Sequence, residues 1–104
     1  MNKIEYNFAK EFTKYPGGRY KSLGDFSGEE FRNKVLEPLF QSNDVLYLNT
    51  EGVVGSFSPS FLDEAFGAIA RKYGTENFNS KIIFLDKNLF QKVQEYIQWV
   101  LNYF

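Results

Sequence analysis

Val45-Leu46-Tyr47-Leu48 is a continuous apolar run of strand length, and Ile82-Ile83-Phe84-Leu85 is matched to it. Runs without polar alternation are expected of strands covered on both faces, as in a parallel sheet. Between them, Leu62, Phe66, Ile69 and Tyr73 recur at helical spacing. They predict a helix from about Ser58 to Tyr73, with Gly74 placed as its C-terminal stop. A strand, a helix and a second strand in this order imply parallel neighbours joined by a right-handed crossover. The fold class is therefore α/β.

Working outward, Ile4 to Phe12 alternates, with Ile4, Tyr6 and Phe8 on one face, which suits a half-buried strand. Pro16-Gly17-Gly18 breaks that pattern, because Pro presets a turn dihedral and Gly tolerates positive φ. A short second strand around Arg19 to Leu23 is expected to return antiparallel to the first. Ser27-Gly28-Glu29-Glu30 reads as a capping box, in which the Ser hydroxyl accepts from the Glu30 N–H and Glu30 reaches back to Ser27. Phe31, Val35 and Leu39 then form the apolar stripe of a first helix. Pro38 should kink or stop it, and Asn43-Asp44 closes the segment. The last helix begins near Asn88, capped by that residue with Gln91, and buries Leu89, Val93, Ile97, Val100 and Phe104. The expected architecture is a single domain over residues 1–104, with a mixed four-stranded sheet, about three helices and the order β-β-α-β-α-β-α.

Composition narrows the chemistry. The chain has 104 residues, 43% hydrophobic and 19% aromatic, enough apolar surface to offset the ordering entropy of one core. It has no Cys and no His. That removes disulfides, thiolate nucleophiles, Cys-based zinc sites, imidazole ligands and the usual general base near neutral pH. The remaining options are carboxylate, Lys or Ser chemistry, or none, and the expectation is no enzyme, no metal and no cofactor. The net charge of -1 supplies no field for a phosphate backbone, although the first 25 residues are mildly basic, so nucleic acid is not the expected partner. No apolar run reaches the roughly 20 residues of a membrane span. The opening Met1-Asn2-Lys3-Ile4-Glu5 lacks the apolar stretch of a signal peptide. A cytoplasmic protein is expected.

The most informative loop, Thr50 to Phe61, joins the carboxyl end of a buried strand to a helix N-terminus, where α/β sheets commonly bind ligands. Unpaired N–H groups and the helix dipole there favour anions. The loop lacks the Gly spacing and the Lys of a phosphate-binding loop. Ser58 followed by Pro59 is the ordinary start of a helix, so capping alone explains Ser58. Ser60 is less well explained by capping. On the first helical turn, it would carry a phosphate favourably against the dipole. Two carboxylate pairs, Glu29/Glu30 and Asp63/Glu64, are each adjacent in sequence and so point about 100° apart on their helices. They do not converge as an acid and a base would. Arg19 reads as a surface residue or the partner of a nearby acid. Trp99, Tyr103 and Phe104 make the last helix aromatic, which raises self-association as a further option.

Three segments carry a resemblance: Pro16-Gly17-Gly18-Arg19-Tyr20, Ser27-Gly28-Glu29-Glu30-Phe31-Arg32, and Ser60-Phe61-Leu62-Asp63-Glu64-Ala65-Phe66-Gly67. In this order, within about Ile4 to Leu85, the chain resembles the STAS fold of bacterial anti-sigma-factor antagonists. It resembles more closely a STAS-like family of unknown function. The resemblance implies a small regulatory module without catalysis, whose partner is a histidine-kinase-like ATPase acting as serine kinase and anti-sigma factor. It implies phosphorylation at the start of the second helix, which falls here on Ser60, with Ser58 as the near alternative. The partner would engage residues 52–66, through Val54, Ser56, Phe57, Ser58, Ser60, Phe61, Asp63 and Glu64. The stretch departs from the antagonists' pattern, which has an Asp just before the Ser pair and a Gly just after it. The competing expectation is a sensor that holds a small anion or nucleotide at the helix N-terminus, residues 58–61.

Overall fold

The computed structural model describes residues 2–103 and, of these, the side chains of residues 2–98. Three strands, β1 (Lys3–Asn7), β2 (Val45–Asn49) and β3 (Ile82–Phe84), pair in the order β1-β2-β3, and both pairs are parallel. Five helices accompany them. The first, α1 (Phe8–Glu11), is a single turn directly after β1. Helix α2 runs through Gly28–Phe31, a π-helical turn at Arg32–Leu36 and Glu37–Ser42. Helix α3 repeats that plan, with Pro59–Leu62, a π-helical turn at Asp63–Gly67 and Ala68–Tyr73. Helices α4 (Thr75–Lys81) and α5 (Lys87–Tyr103) flank β3. The fold is α/β with a three-stranded parallel sheet, not the expected mixed four-stranded one with three helices.

Local chemistry accounts for the differences. Alternation from Ile4 stops at Asn7, because its side chain caps α1 by accepting from the Lys10 N–H at 2.9 Å, while Glu11 accepts from the Asn7 N–H at 2.8 Å. The expected second strand does not form. Residues Lys21–Leu23 make one 3-10 turn. The carbonyls just before it, of Gly18 and Arg19, accept from the Gly28 and Glu29 N–H groups at 2.8 and 3.0 Å. The segment thus satisfies orphan donors at the start of α2 instead of pairing with a strand. Ser27, fully buried, caps α2 as expected (3.0 Å from the Glu30 nitrogen), but the Glu30 carboxylate accepts from Phe26, one residue earlier than the capping box predicts.

Helix α2 passes through Pro38 instead of stopping. The π-helical turn just before it lets the Glu37 N–H reach the Arg32 carbonyl. This loosens the turn in which the Pro ring would otherwise crowd a carbonyl. The extra residue also shifts the stripe. Phe31, Leu36 and Phe40 are buried, whereas Val35 and Leu39 are only half-buried. Gly74 ends α3 with φ of 93°, as its position predicts. Helix α4 has no counterpart in the sequence pattern, and α5 is capped by Asp86, which accepts from the Asn88 and Leu89 N–H groups, not by Asn88. Leu89, Val93 and Ile97 are buried as expected. The side chains of Trp99, Val100, Tyr103 and Phe104 lie outside the described residues.

One core cluster unites Tyr6, Leu46, Leu48, Ile82 and Phe84 from the sheet with the apolar stripes of the helices. The strands do alternate. Leu46 and Leu48 face the helices, while Val45 and Tyr47 are half-buried and Ile83 is 38% exposed on the opposite face. Among the described residues the sheet is therefore covered on one face only, which corrects the reading of its apolar runs as covered on both.

Candidate functional site

The loop after β2 is tied down before it reaches α3. The Val53 N–H bonds the Thr50 carbonyl at 3.2 Å, and the Val54 and Gly55 N–H groups share the Lys14 carbonyl at 2.9 and 3.3 Å. Phe57 turns its ring onto Phe8 (4.9 Å between centroids) and Phe61 (5.4 Å). The result is a loop with a rigid underside and an outward tip, where Val54 is 66% exposed and Ser56 is exposed. Phe61, expected on the contact surface, is fully buried and supports the loop from beneath.

The two serines have different surroundings. Ser58 accepts from the Phe61 N–H at 3.1 Å, with Pro59 at the first helical position, so its hydroxyl serves as a helix cap. Ser60 is half-buried on the first turn of α3. It lines a cleft of about 210 Å³ with Arg19, Pro59, Asp63 and Tyr96. Its hydroxyl has no hydrogen-bond partner among the described residues.

Asp63 and Glu64 hold a cluster of arginines. Arg19 reaches both, with Nη1 at 2.6 Å from Asp63 and 3.3 Å from Glu64. Arg71 binds Asp63 at 2.8 Å, and Arg32 pairs with the Glu64 carboxylate and donates to the Glu64 carbonyl at 2.8 Å. Three guanidiniums against two carboxylates leave the cluster with a formal charge of +1. The cluster fastens the Gly18–Tyr20 segment and α2 onto α3 beside Ser60. Of the two readings of Arg19, surface residue or partner of a nearby acid, the structure shows the second, while nothing in the sequence pattern points to Arg32 and Arg71 as members of the cluster.

Burial pushes the Asp63 carboxyl up, but the hydrogen bonds from Arg19 and Arg71 outweigh it and hold the group below the ordinary carboxylate range. A lowered folded value means that the stabilisation is present above the unfolded value of about 3.9 and is lost as pH falls through the folded one. Asp63→Asn is expected to lower stability at neutral pH by about 1–2 kcal/mol, discounted for partial exposure. The variant should also lose less stability than the native chain between neutral pH and the acid side of that range. Denaturant titrations at the two pH values measure both differences. An unchanged acid dependence would rule out Asp63 as its source.

A second cleft, of about 200 Å³, lies between the loop after β2 and the start of α5, with Thr50, Ser56, Asp86 and Lys92 among its lining residues. The described residues contain no group of three or more His, Cys, Asp or Glu side chains able to hold a metal. No helix among them is long and apolar enough to cross a membrane.

Residues 27–89, more than half of the chain, match a family described as a STAS-like domain of unknown function. The match runs from the cap of α2 to the first turn of α5, and so takes in the 52–66 segment and every member of the ion cluster except Arg19. No curated protein and no solved structure matches the chain.

Proposed function

Because the chain belongs to the family of STAS-like domains of unknown function, we propose that it is a non-catalytic regulatory module that binds a partner protein through residues 52–66. The partner in this reading is a histidine-kinase-like ATPase, and Ser60 is the residue it phosphorylates. The observation that carries the choice of Ser60 is the division of labour between the serines. Ser58 is committed to capping, whereas Ser60 lies in a cleft with Arg19. A phosphate there brings about -1.5 to -2 charge. It would meet the amino end of α3 and Arg19, itself a member of the cluster whose three arginines and two carboxylates leave one surplus positive charge. Val54, Ser56 and Phe57 form the contact surface beside it, supported by buried Phe61, while Asp63 and Glu64 position Arg19.

The test is a tagged pull-down from the native host with and without ATP, with mass spectrometry of bait and partner. Recovery of an ATPase is expected, with an ATP-dependent phosphate on Ser60 that is absent in Ser60→Ala. An unmodified bait without an ATPase would overturn the reading. A small-anion sensor is the second reading, favoured by the cleft that contains Lys92 and Ser56 at the carboxyl end of β2. It places the ligand against the 50–57 loop more than on the helix start at 58–61, and a nucleotide-induced rise in melting temperature would support it.

A further inference from the structure

We propose that the outer edge of β3 is a self-association surface, where two copies of this chain join their sheets antiparallel about a two-fold axis. β3 is an edge strand. The Leu85 N–H bonds the Leu48 carbonyl, so the backbone groups of Ile83 and Leu85 turn toward β2 and those of Ile82 and Phe84 turn outward. The Ile82 N–H is taken by the Phe78 carbonyl at the end of α4. The Ile82 carbonyl and both backbone groups of Phe84 have no partner among the described residues. An antiparallel copy centred on Ile83 pairs each Phe84 N–H with the other chain's Ile82 carbonyl and leaves the Phe84 carbonyl, which faces an Ile82 N–H already given to Phe78, to water.

The side chains at this edge suit the same arrangement. On the open face of the sheet, Ile83 is 38% and Leu85 49% exposed; on the helical side, Phe90 is 41% exposed and its ring lies 6.1 Å from Phe84. Edge strands are ordinarily guarded by charge, and here the flanking charges are engaged elsewhere. Lys81 binds the Phe40 carbonyl with its amine over the Phe40 ring, and Asp86 caps α5. The opposite edge, β1, displays exposed Lys3 and Glu5. Residues 82–85 carry no polar side chain that would select a different strand, and the Phe84 N–H and Ile82 carbonyl of one copy complement those of another, as a two-fold contact requires.

The natural absence of Cys allows a direct test. Across the two-fold axis the Ile83 residues form a non-hydrogen-bonded pair, whose spacing accommodates a disulfide. Ile83→Cys is therefore expected to oxidise to a covalent dimer well beyond a Glu5→Cys control on the other edge. The native chain should show a concentration-dependent monomer–dimer equilibrium in sedimentation. Ile83→Lys should abolish it and leave the circular dichroism spectrum unchanged. A native chain that stays monomeric at high concentration, or that binds only a strand from another protein, overturns the proposal. So does a dimer that survives Ile83→Lys or crosslinks no better at residue 83 than at residue 5.

Discussion

Phe31→Ala is expected to lower the unfolding free energy by about 3–5 kcal/mol, a large share of the roughly 5–15 kcal/mol available to a domain of this size. Phe31 is fully buried on α2. Its ring lies 5.0 Å from that of Phe8, 5.2 Å from Phe12, 5.9 Å from Phe66, 6.0 Å from Tyr6 and 6.1 Å from Phe61. These neighbours come from β1, α1, the segment after α1 and α3, so the side chain joins the amino-terminal part of the chain to the helix that carries Ser60. Truncation removes the transfer free energy and leaves a cavity among rigid rings that cannot easily close it. Urea denaturation should show a lower midpoint with an unchanged slope. A loss below about 1 kcal/mol would mean that the surrounding rings collapse into the space.

Gly28→Ala is expected to destabilise by about 1–3 kcal/mol, although Ala is the better helix former. A Cβ at Gly28 would lie 2.7 Å from the Phe61 carbonyl oxygen and 3.1 Å from the Phe61 Cα. Both obstacles are backbone, so α2 and α3 must separate. That crossing also sets how Arg32 meets Glu64 and how Arg19 lies beside Ser60. The substitution should therefore shift the NMR signals of the arginine cluster as well as the denaturation midpoint. An Ala variant as stable as the native chain would show that the crossing is more compliant than this geometry allows.

The parts of the fold legible in the sequence were those decided within a few residues. Ser27 and Ser58 cap helices, Gly74 ends one, and Leu89, Val93 and Ile97 face the core, because each depends on its own turn and the chemistry of one or two neighbours. Where distant groups compete, the pattern misled. Arg19 to Leu23 follows a turn and so reads as a returning strand, yet the carbonyls of Gly18 and Arg19 are drawn to the open N–H groups at the start of α2. Val35 and Leu39 fit a regular helix, but the π-helical turn gives their places to Leu36 and Phe40. Helix α4, Thr-Glu-Asn-Phe-Asn-Ser-Lys, contains one apolar residue and therefore no periodicity to read. In the candidate site, Ser58 was legible as a cap. The ion cluster was not, because Arg19 and Arg32 meet their acids across 44 and 32 residues respectively.

The order β1-β2-β3 follows the order in which the chain is synthesised. No strand has to be threaded between two that are already paired, so the sheet can grow by addition at a single advancing border. Residues 3–49 contain a complete strand–helix–strand unit, available for pairing before Ile82–Phe84 leaves the ribosome. Each parallel pairing still closes a long loop, which slows it. Until α4 and β3 arrive, this unit lacks part of the cover over the helix-facing side of β2, and during that interval the nascent chain is most exposed to aggregation and to capture by chaperones.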